Sequence, residues 1–283
     1  MSEATRMTMA EALASGKARL APCSDSARLD AEWLLADVLA ISPGALPARS
    51  RQALDEAQRT RYEQQLARRE QGEPVAYLLG TQGFWTLDLQ VSPAVLIPRP
   101  DTELLVEWSR AMLPPKAEAE VADLGTGSGA IALAIARECP KARVLATDVS
   151  QAALDVAERN ARLNHIANVR FAQGSWFEPL TDERFDLIVS NPPYIAAGDP
   201  HLPALRHEPL SALTDGADGL NCLREIVAGA RAHLKPGAWL LVEHGYDQAA
   251  AVRELFAQAG YLDVQTRRDL GGNERASGGR LGA

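Results

Sequence analysis

The sequence predicts an α/β fold, a mostly parallel sheet covered by helices on both faces, preceded by a small all-helical unit. Three observations predict it. Residues 1–73 carry helical periodicity without strand patterning. From about residue 95, short apolar runs rich in Val, Ile and Leu alternate with amphipathic helices. The first of those runs ends in a glycine-rich turn that opens a helix. Such alternation implies parallel strands joined by crossover helices, and sheets of this kind bind ligands beyond the carboxyl ends of their strands.

In chain order, Thr8 and Glu11 form a capping-box pattern that opens a helix through about Leu20. "SARLDAEWLLADVLA" (26–40) reads as an amphipathic helix with Leu29, Trp33 and Val38 on its apolar side. "ISPGALPARS" breaks the pattern at Pro43, Gly44 and Pro47, and "RQALDEAQRTRYEQQLARRE" (51–70) is a third, more polar helix. "GFWTLDLQVSP" (83–93) alternates at Leu87, Leu89 and Val91, the signature of a strand or hairpin. A strand running into a glycine turn is then expected over 120–129, and strands at 142–150, 169–175, 184–191 and 237–245, with 262–270 as the last. Helices are expected at 130–139, 151–164, 222–234 and 247–260. The domain division is 1–80 helical, 81–94 a linking hairpin, and 95–283 the α/β domain.

Composition narrows the function classes. The 283 residues are 46% apolar, enough for a sizeable core, yet no apolar run approaches the roughly 20 residues of a membrane span. "MSEATRMTMAEALAS" lacks a basic head followed by an apolar stretch, so no secretory leader is expected. Cys23, Cys139 and Cys222 form no CxxC pair and the five histidines are scattered, which points to a reducing, cytoplasmic setting without metal or disulfide framework. The net charge of −8 disfavours nonspecific nucleic-acid binding. Arg59, Arg61, Arg68 and Arg69 are interleaved with acids and read as a solvated helix face.

"DLGTGSGA" places Gly125, Thr126, Gly127, Ser128 and Gly129 between a strand and a helix, where bare backbone N–H groups can approach a ligand. Nineteen positions past Gly129, Asp148 ends the next strand and can accept hydrogen bonds from ribose hydroxyls. Together these point to a nucleoside cofactor. Gly125, Gly127 and Ala130 satisfy the lenient dinucleotide fingerprint, so NAD(P) and S-adenosylmethionine both remain open at this point. Trp176, just after the third strand, can flank an adenine or serve as an ordinary rim aromatic.

"SNPPYI" (190–195) closes the apolar run "FDLIVS" with two prolines, which end a strand because they cannot donate to its ladder. The chemistry such a corner suits is methylation of an amide or exocyclic amine nitrogen, whose lone pair is delocalised. Asn191 offers a side-chain carbonyl to one N–H of the substrate, and a carbonyl of the Pro192–Pro193 stretch offers a second acceptor. Tyr194 offers a π-face. A dehydrogenase has no use for this corner, and an inert binding module would not need both it and the glycine loop intact.

The sequence resembles the protein-(glutamine-N5) methyltransferases of peptide-chain release factors. The resemblance runs over nearly the whole chain: "EPVAYLLG" (73–80), "VLIPRPDTELLVE" (95–107), "DLGTGSGAIALAIA" (123–136), "SNPPYI" (190–195), "HEPLSAL" (207–213) and "DLGGNER" (269–275). It implies a class I S-adenosylmethionine-dependent methyltransferase domain, Rossmann-like, with a seven-stranded sheet bearing an antiparallel hairpin at one edge, and an N-terminal bundle that docks the substrate protein. It implies S-adenosyl-L-methionine as cofactor, S-adenosyl-L-homocysteine as product, and the glutamine of a Gly-Gly-Gln loop in class I release factors as substrate, so that a monomeric enzyme would modulate translation termination. By position, Gly125 to Gly129, Asp148, Trp176 and Asn191 would contact the cofactor, and Asn191, Pro192, Pro193 and Tyr194 would hold the amide. Arg99, Pro100 and Thr102 lie in a block that borders the cofactor pocket in the family. Asp101 stands where the family often has Glu, and Asp215 where Gly is common, which bears on the loop there. Glu208 and Glu243 are acids near the site whose expected role is a salt bridge or loop hydrogen bond. The alternatives carried forward are an N6-adenine or N2-guanine nucleic-acid methyltransferase and an NAD(P)-dependent oxidoreductase.

Overall fold

The structure, a computed structural model, describes residues 7–113 and 118–282; the leader reading on residues 1–6 lies outside them. The chain divides into two compact units, Met1–Gly80 and Thr81–Ala283.

The first unit holds α1 (Met9–Leu20), α2 (Ala27–Val38), α3 (Glu56–Glu70) and α4 (Val75–Leu79). The Thr8 box is present: its hydroxyl accepts from the Glu11 N–H at 3.3 Å and the Glu11 carboxylate accepts the Thr8 N–H at 2.8 Å. α3 begins five residues later than the sequence pattern suggests. Asp55 and Gln58 form a second capping box, with reciprocal bonds of 2.8 and 3.0 Å, and the residues before it run extended, Ala53 bridging to Thr8. The face of α2 is also corrected. Ala27, Ala31, Leu34, Leu35 and Val38 are buried, whereas Leu29 and Trp33 are about half exposed. The helix is apolar on both sides, and its one inward polar residue, Asp30, is satisfied by Ser24, Ser26 and Arg69 at 2.8 Å each. Arg59 and Arg61 are solvated as expected, while Arg69 turns inward.

The second unit opens with an antiparallel hairpin, β1 (Thr81–Phe84) and β2 (Leu87–Gln90), followed by α5 (Glu103–Met112). Then come β3 (Glu120–Leu124), α6 (Ala130–Glu138), β4 (Arg143–Asp148), α7 (Gln151–Leu163), β5 (Val169–Gln173), β6 (Phe185–Ser190), α8 (Asn221–Gly229), β7 (Leu234–Glu243), α9 (Ala249–Gln258), β8 (Leu262–Arg268) and β9 (Glu274–Arg280). The strand expected to be last is therefore followed by another, "ERASGGR", whose Gly278 and Gly279 give little strand signal. Both glycines are needed there: a Cβ on Gly278 would stand 2.5 Å from Leu241, and one on Gly279 2.7 Å from Phe256.

The seven strands lie in the order β5-β4-β3-β6-β7-β9-β8, with β9 antiparallel to both neighbours and the other pairings parallel. Val121, Leu187, Val189 and Leu241 point to one helix-covered face and Ala122, Leu124, Ile188, Leu240 and Val242 to the other. This two-sided burial explains continuous apolar runs such as "FDLIVS". The chain winds outward from β3 to β5, then returns to β6 on the other side of β3. The loops after β3 and β6 thus meet at the switch point, where a parallel sheet has its crevice.

Candidate active site

Beyond the carboxyl ends of β3, β4 and β6 lies a cavity of about 490 Å³. The loop after β3 supplies Gly125, Thr126, Gly127 and Ser128, β4 ends in Asp148, the turn after β5 supplies Trp176, and the corner after β6 supplies Asn191 and Pro193. Arg99 and Thr102 complete the wall.

The glycine loop is shaped for close approach. Gly125 (φ 72°) and Gly127 (φ 56°) sit in the left-handed region, and a Cβ on Gly127 would meet no protein atom within 4 Å. It would occupy cavity space instead. Asp148 fastens the loop: its two carboxylate oxygens accept Gly127 N–H and Ser150 N–H, each at 2.9 Å, and retain lone pairs for a further donor. Asn160, buried on α7, holds the Ser128 carbonyl at 2.9 Å and both polar backbone groups of Gln90, tying the hairpin to the loop. Beneath the loop Asp123 is fully buried. Its Oδ2 accepts Thr126 Oγ1 at 2.6 Å and Ala132 N–H at 3.2 Å, its Oδ1 has no partner among the described residues, and burial pushes its carboxyl up to about 7. Trp176 takes the left-handed conformation (φ 40°), an uncommon one for a bulky side chain, and lies against the Gly125 backbone with its Nε1 donating to Glu225 at 3.1 Å.

In the corner the four expected residues divide. Asn191 and Pro193 line the cavity; Pro192 is buried and Tyr194 faces inward toward the core beside β6 and β7. The Tyr194 hydroxyl donates to Glu243 Oε1 at 3.1 Å, so the ring backs the corner. Asn191 Nδ2 donates to Thr102 Oγ1 at 3.1 Å, and no described hydrogen bond ends on its Oδ1. The Tyr194 carbonyl is taken by Gln248 at 3.0 Å, whereas no described hydrogen bond ends on the carbonyls of Pro192 or Pro193. A Cβ on Gly219 would stand 2.3 Å from the Tyr194 carbonyl, so the loop at 215–221 can come this close to the corner only with glycine at that position. Asp215 organises that loop, accepting the N–H groups of Ala217, Gly219 and Asn221 at 2.9, 3.0 and 2.8 Å.

The other sequence blocks are latches. Glu208, buried, accepts Ile97 N–H at 3.0 Å and pairs with the Arg99 guanidinium. Arg275 bridges Asp269 at 3.2 Å and Asp101 at 3.5 Å. Among the described residues no cluster of metal-ligating side chains occurs, and no helix is long and apolar enough to cross a membrane.

Two family models match the chain, one described as the PrmC N-terminal domain over residues 11–80 and one as a methyltransferase small domain over residues 100–207. The release factor glutamine methyltransferase of Xylella fastidiosa is 54% identical over 255 residues, covering 89% of this chain and 93% of its own. That of Coxiella burnetii is 46% identical over 276 residues, covering 98% and 100%. The chain belongs to the release factor glutamine methyltransferase family. The oxidoreductase alternative is thereby set aside. The solved structure of the T. thermophilus 16S rRNA N2 G1207 methyltransferase in complex with AdoMet and guanosine superposes with a TM-score of 0.54 at 21% identity, covering 71% of this chain and 49% of that one, and shares the fold.

The site residues hardest to see in sequence are Asn160 and, in its reach, Thr102. A buried Asn in the middle of an amphipathic helix is the only signal for the first. The second sits in the "RPDTE" block with nothing to show that its hydroxyl reaches 89 residues along the chain.

Proposed function

We propose that this protein transfers a methyl group from S-adenosyl-L-methionine to the side-chain amide nitrogen of the glutamine in the Gly-Gly-Gln loop of class I peptide-chain release factors. The observation that carries the reading is the Asn191 side chain, which lines the cavity that holds the glycine loop and is held through its Nδ2 by Thr102, so that its Oδ1 is not used in that bond. The family membership supplies the substrate class.

The residues present fit the cofactor. Gly127 leaves room for the methionine portion against bare backbone, Asp148 keeps lone pairs for ribose hydroxyls, and Trp176, packed on Gly125, walls the side where an adenine would stack. When bound, the cofactor supplies an electrophilic methyl on a sulfonium sulfur. Asn191 Oδ1 accepts one N–H of the glutamine amide and a Pro192–Pro193 carbonyl the other. Two acceptors push electron density onto nitrogen and aim its lone pair along the methyl–sulfur bond, about 3–3.5 Å from carbon. The prolines bring no competing N–H and keep the carbonyls preorganised. With S-adenosyl-L-methionine bound, the chemistry it would supply is transfer of its methyl to that nitrogen, with S-adenosyl-L-homocysteine as the product. The amide proton is acidic once the methyl has arrived, so the corner needs no strong base.

The test is transfer of labelled methyl to a class I release factor, with bulk RNA and DNA as parallel acceptors. Label mapped by mass spectrometry to the Gly-Gly-Gln glutamine supports the reading. Label in nucleic acid alone keeps the corner and overturns the substrate.

A further inference from the structure

We propose that Gln248 is a positioning residue for this reaction: its side-chain amide, acting through the Tyr194 carbonyl, fixes the Pro192–Pro193 corner where one of the corner's carbonyls meets the substrate amide. The inference rests on the methyl-transfer reading above.

The corner cannot hold itself in place. Pro192 and Pro193 have no N–H to give, and no described hydrogen bond ends on their carbonyls. The stretch is placed by what grips the chain on each side of it. Upstream, Ser190 Oγ donates to the Leu124 carbonyl at 2.7 Å, and Asn191 Nδ2 donates to Thr102 Oγ1 at 3.1 Å. Downstream, the first backbone group with a described partner is the Tyr194 carbonyl, which accepts Gln248 Nε2 at 3.0 Å. The Ile195 N–H follows, donating to the Leu213 carbonyl at 2.9 Å.

Gln248 stands at the start of α9, yet its side chain does not cap that helix. Its hydrogen bonds go instead to three neighbouring segments. Oε1 accepts the Gly245 N–H at 2.8 Å, which settles the way the amide faces. Nε2 is then aimed at two carbonyls, that of Tyr194 at 3.0 Å and that of Gly219 at 3.3 Å. These belong to the corner and to the 215–221 loop. They come so close that a Cβ on Gly219 would stand 2.3 Å from the Tyr194 oxygen and 2.9 Å from Gln248 Nε2. Two oxygens of like partial charge converging in this way need a group with two donors, which an amide nitrogen is. The loop held by this bond is flanked by Thr214 and Cys222, both in the cavity wall. Gln248 is not part of that wall, so its effect reaches the substrate amide through the Tyr194 backbone. Packing alone would cost stability; positioning costs turnover, because a displaced acceptor no longer aims the nitrogen.

The test is kcat and KM for methylation of a class I release factor at saturating S-adenosyl-L-methionine, in Gln248→Met and Gln248→Glu, with Gln248→Met also made in the Asn191→Ala background. Gln248→Met keeps the length of the side chain and removes both donors. It should lower kcat about tenfold, with KM for the release factor within about threefold of wild type. Gln248→Glu keeps the bond to Gly245 and sets a third oxygen against the two carbonyls, so it should lower kcat further. Cofactor affinity by calorimetry should stay within about threefold for both. Once Asn191→Ala has broken the two-point hold, adding Gln248→Met should cost less than about threefold more. An equal loss in the two backgrounds would assign Gln248 a general structural role and overturn the inference. A kcat near the wild-type value in both single variants would overturn it too, and Gln248→Met carries the test if Gln248→Glu folds poorly. Absence of methyl transfer by the wild type itself would overturn the function, and this inference with it.

Discussion

The Trp176 indole lies across the bare Cα of Gly125, so close that a Cβ built on the glycine would stand 3.3 Å from Cζ3. Both backbones are left-handed, at φ 40° and 72°. Two uncommon conformations are thus held against each other where the cofactor loop meets the wall of the cavity. Gly125→Ala places a methyl in that contact and an L side chain in a region that costs about 1–2 kcal/mol. The variant should lose a few degrees in melting temperature and bind S-adenosyl-L-methionine about tenfold more weakly, read by scanning fluorimetry and calorimetry. Unchanged values on both would mean that the loop adapts freely and that the contact is incidental.

Asn191→Ala removes the acceptor without touching the glycine loop. Because Asn191 is half-buried and its one described side-chain bond goes to Thr102, the fold should survive. Loss of a single preorganised acceptor at the reacting group is worth about 10²–10³ in kcat. Cofactor affinity should stay within about threefold. A turnover near that of the wild type would remove Asn191 from the amide-holding role.

The parts of this architecture that were legible in the sequence are those with a local physical signature. Burial on both faces leaves near-continuous apolar runs that located β3, β4, β6 and β7, while the edge strands β5 and β8, more exposed, were placed by their alternation with helices. Glycine spacing and the double proline located the two loops, since a backbone that must approach a ligand or end a ladder leaves few residue choices. β9 was hidden because close packing against Leu241 and Phe256 demands glycine, which reads as loop. The solvent-facing placement of Leu29 and Trp33 was hidden because α2 carries large apolar side chains on both of its faces, and periodicity cannot choose between them. Most of what positions the site was out of reach for one reason. Thr102 to Asn191, Glu243 to Tyr194, Asn160 to Ser128 and Glu208 to Ile97 are contacts between residues 32 to 111 positions apart. Only the fold brings them together.

Asp148 is occupied on both oxygens by backbone N–H groups, and this decides how its substitutions rank. Asp148→Ala should weaken cofactor binding at least tenfold, because it removes the ribose acceptor and releases Gly127. Asp148→Asn should do no better. Its amide nitrogen must face either Gly127 N–H or Ser150 N–H, so one donor is set against another. Calorimetry on the two variants is the check. If Asn restored wild-type affinity, the carboxylate would not be organising the loop from both sides.

Asp123 lies fully buried beneath the glycine loop with one oxygen unpartnered, and its carboxyl is raised from 3.8 to about 7. Between those two values the folded protein holds a proton that the unfolded chain has released. Stability therefore falls as pH rises across that window, and above it the protein carries a buried charge. Moving a carboxyl from 3.8 to about 7, the hydrogen bonds from Thr126 and Ala132 included, corresponds to about 4 kcal/mol at pH 8. Asp123→Asn keeps an acceptor for both donors and carries no charge. It should unfold at higher denaturant concentration than the wild type at pH 8 and show little difference at pH 4, with the gap widening through neutrality. Glu243, raised from 4.5 to about 7, adds a pH dependence of the same sign, so the wild type retains part of the slope after Asp123 is changed. Parallel stability curves for wild type and Asp123→Asn from pH 4 to 8 would show that the Asp123 carboxyl titrates alike in the folded and unfolded protein, and that burial does not raise it.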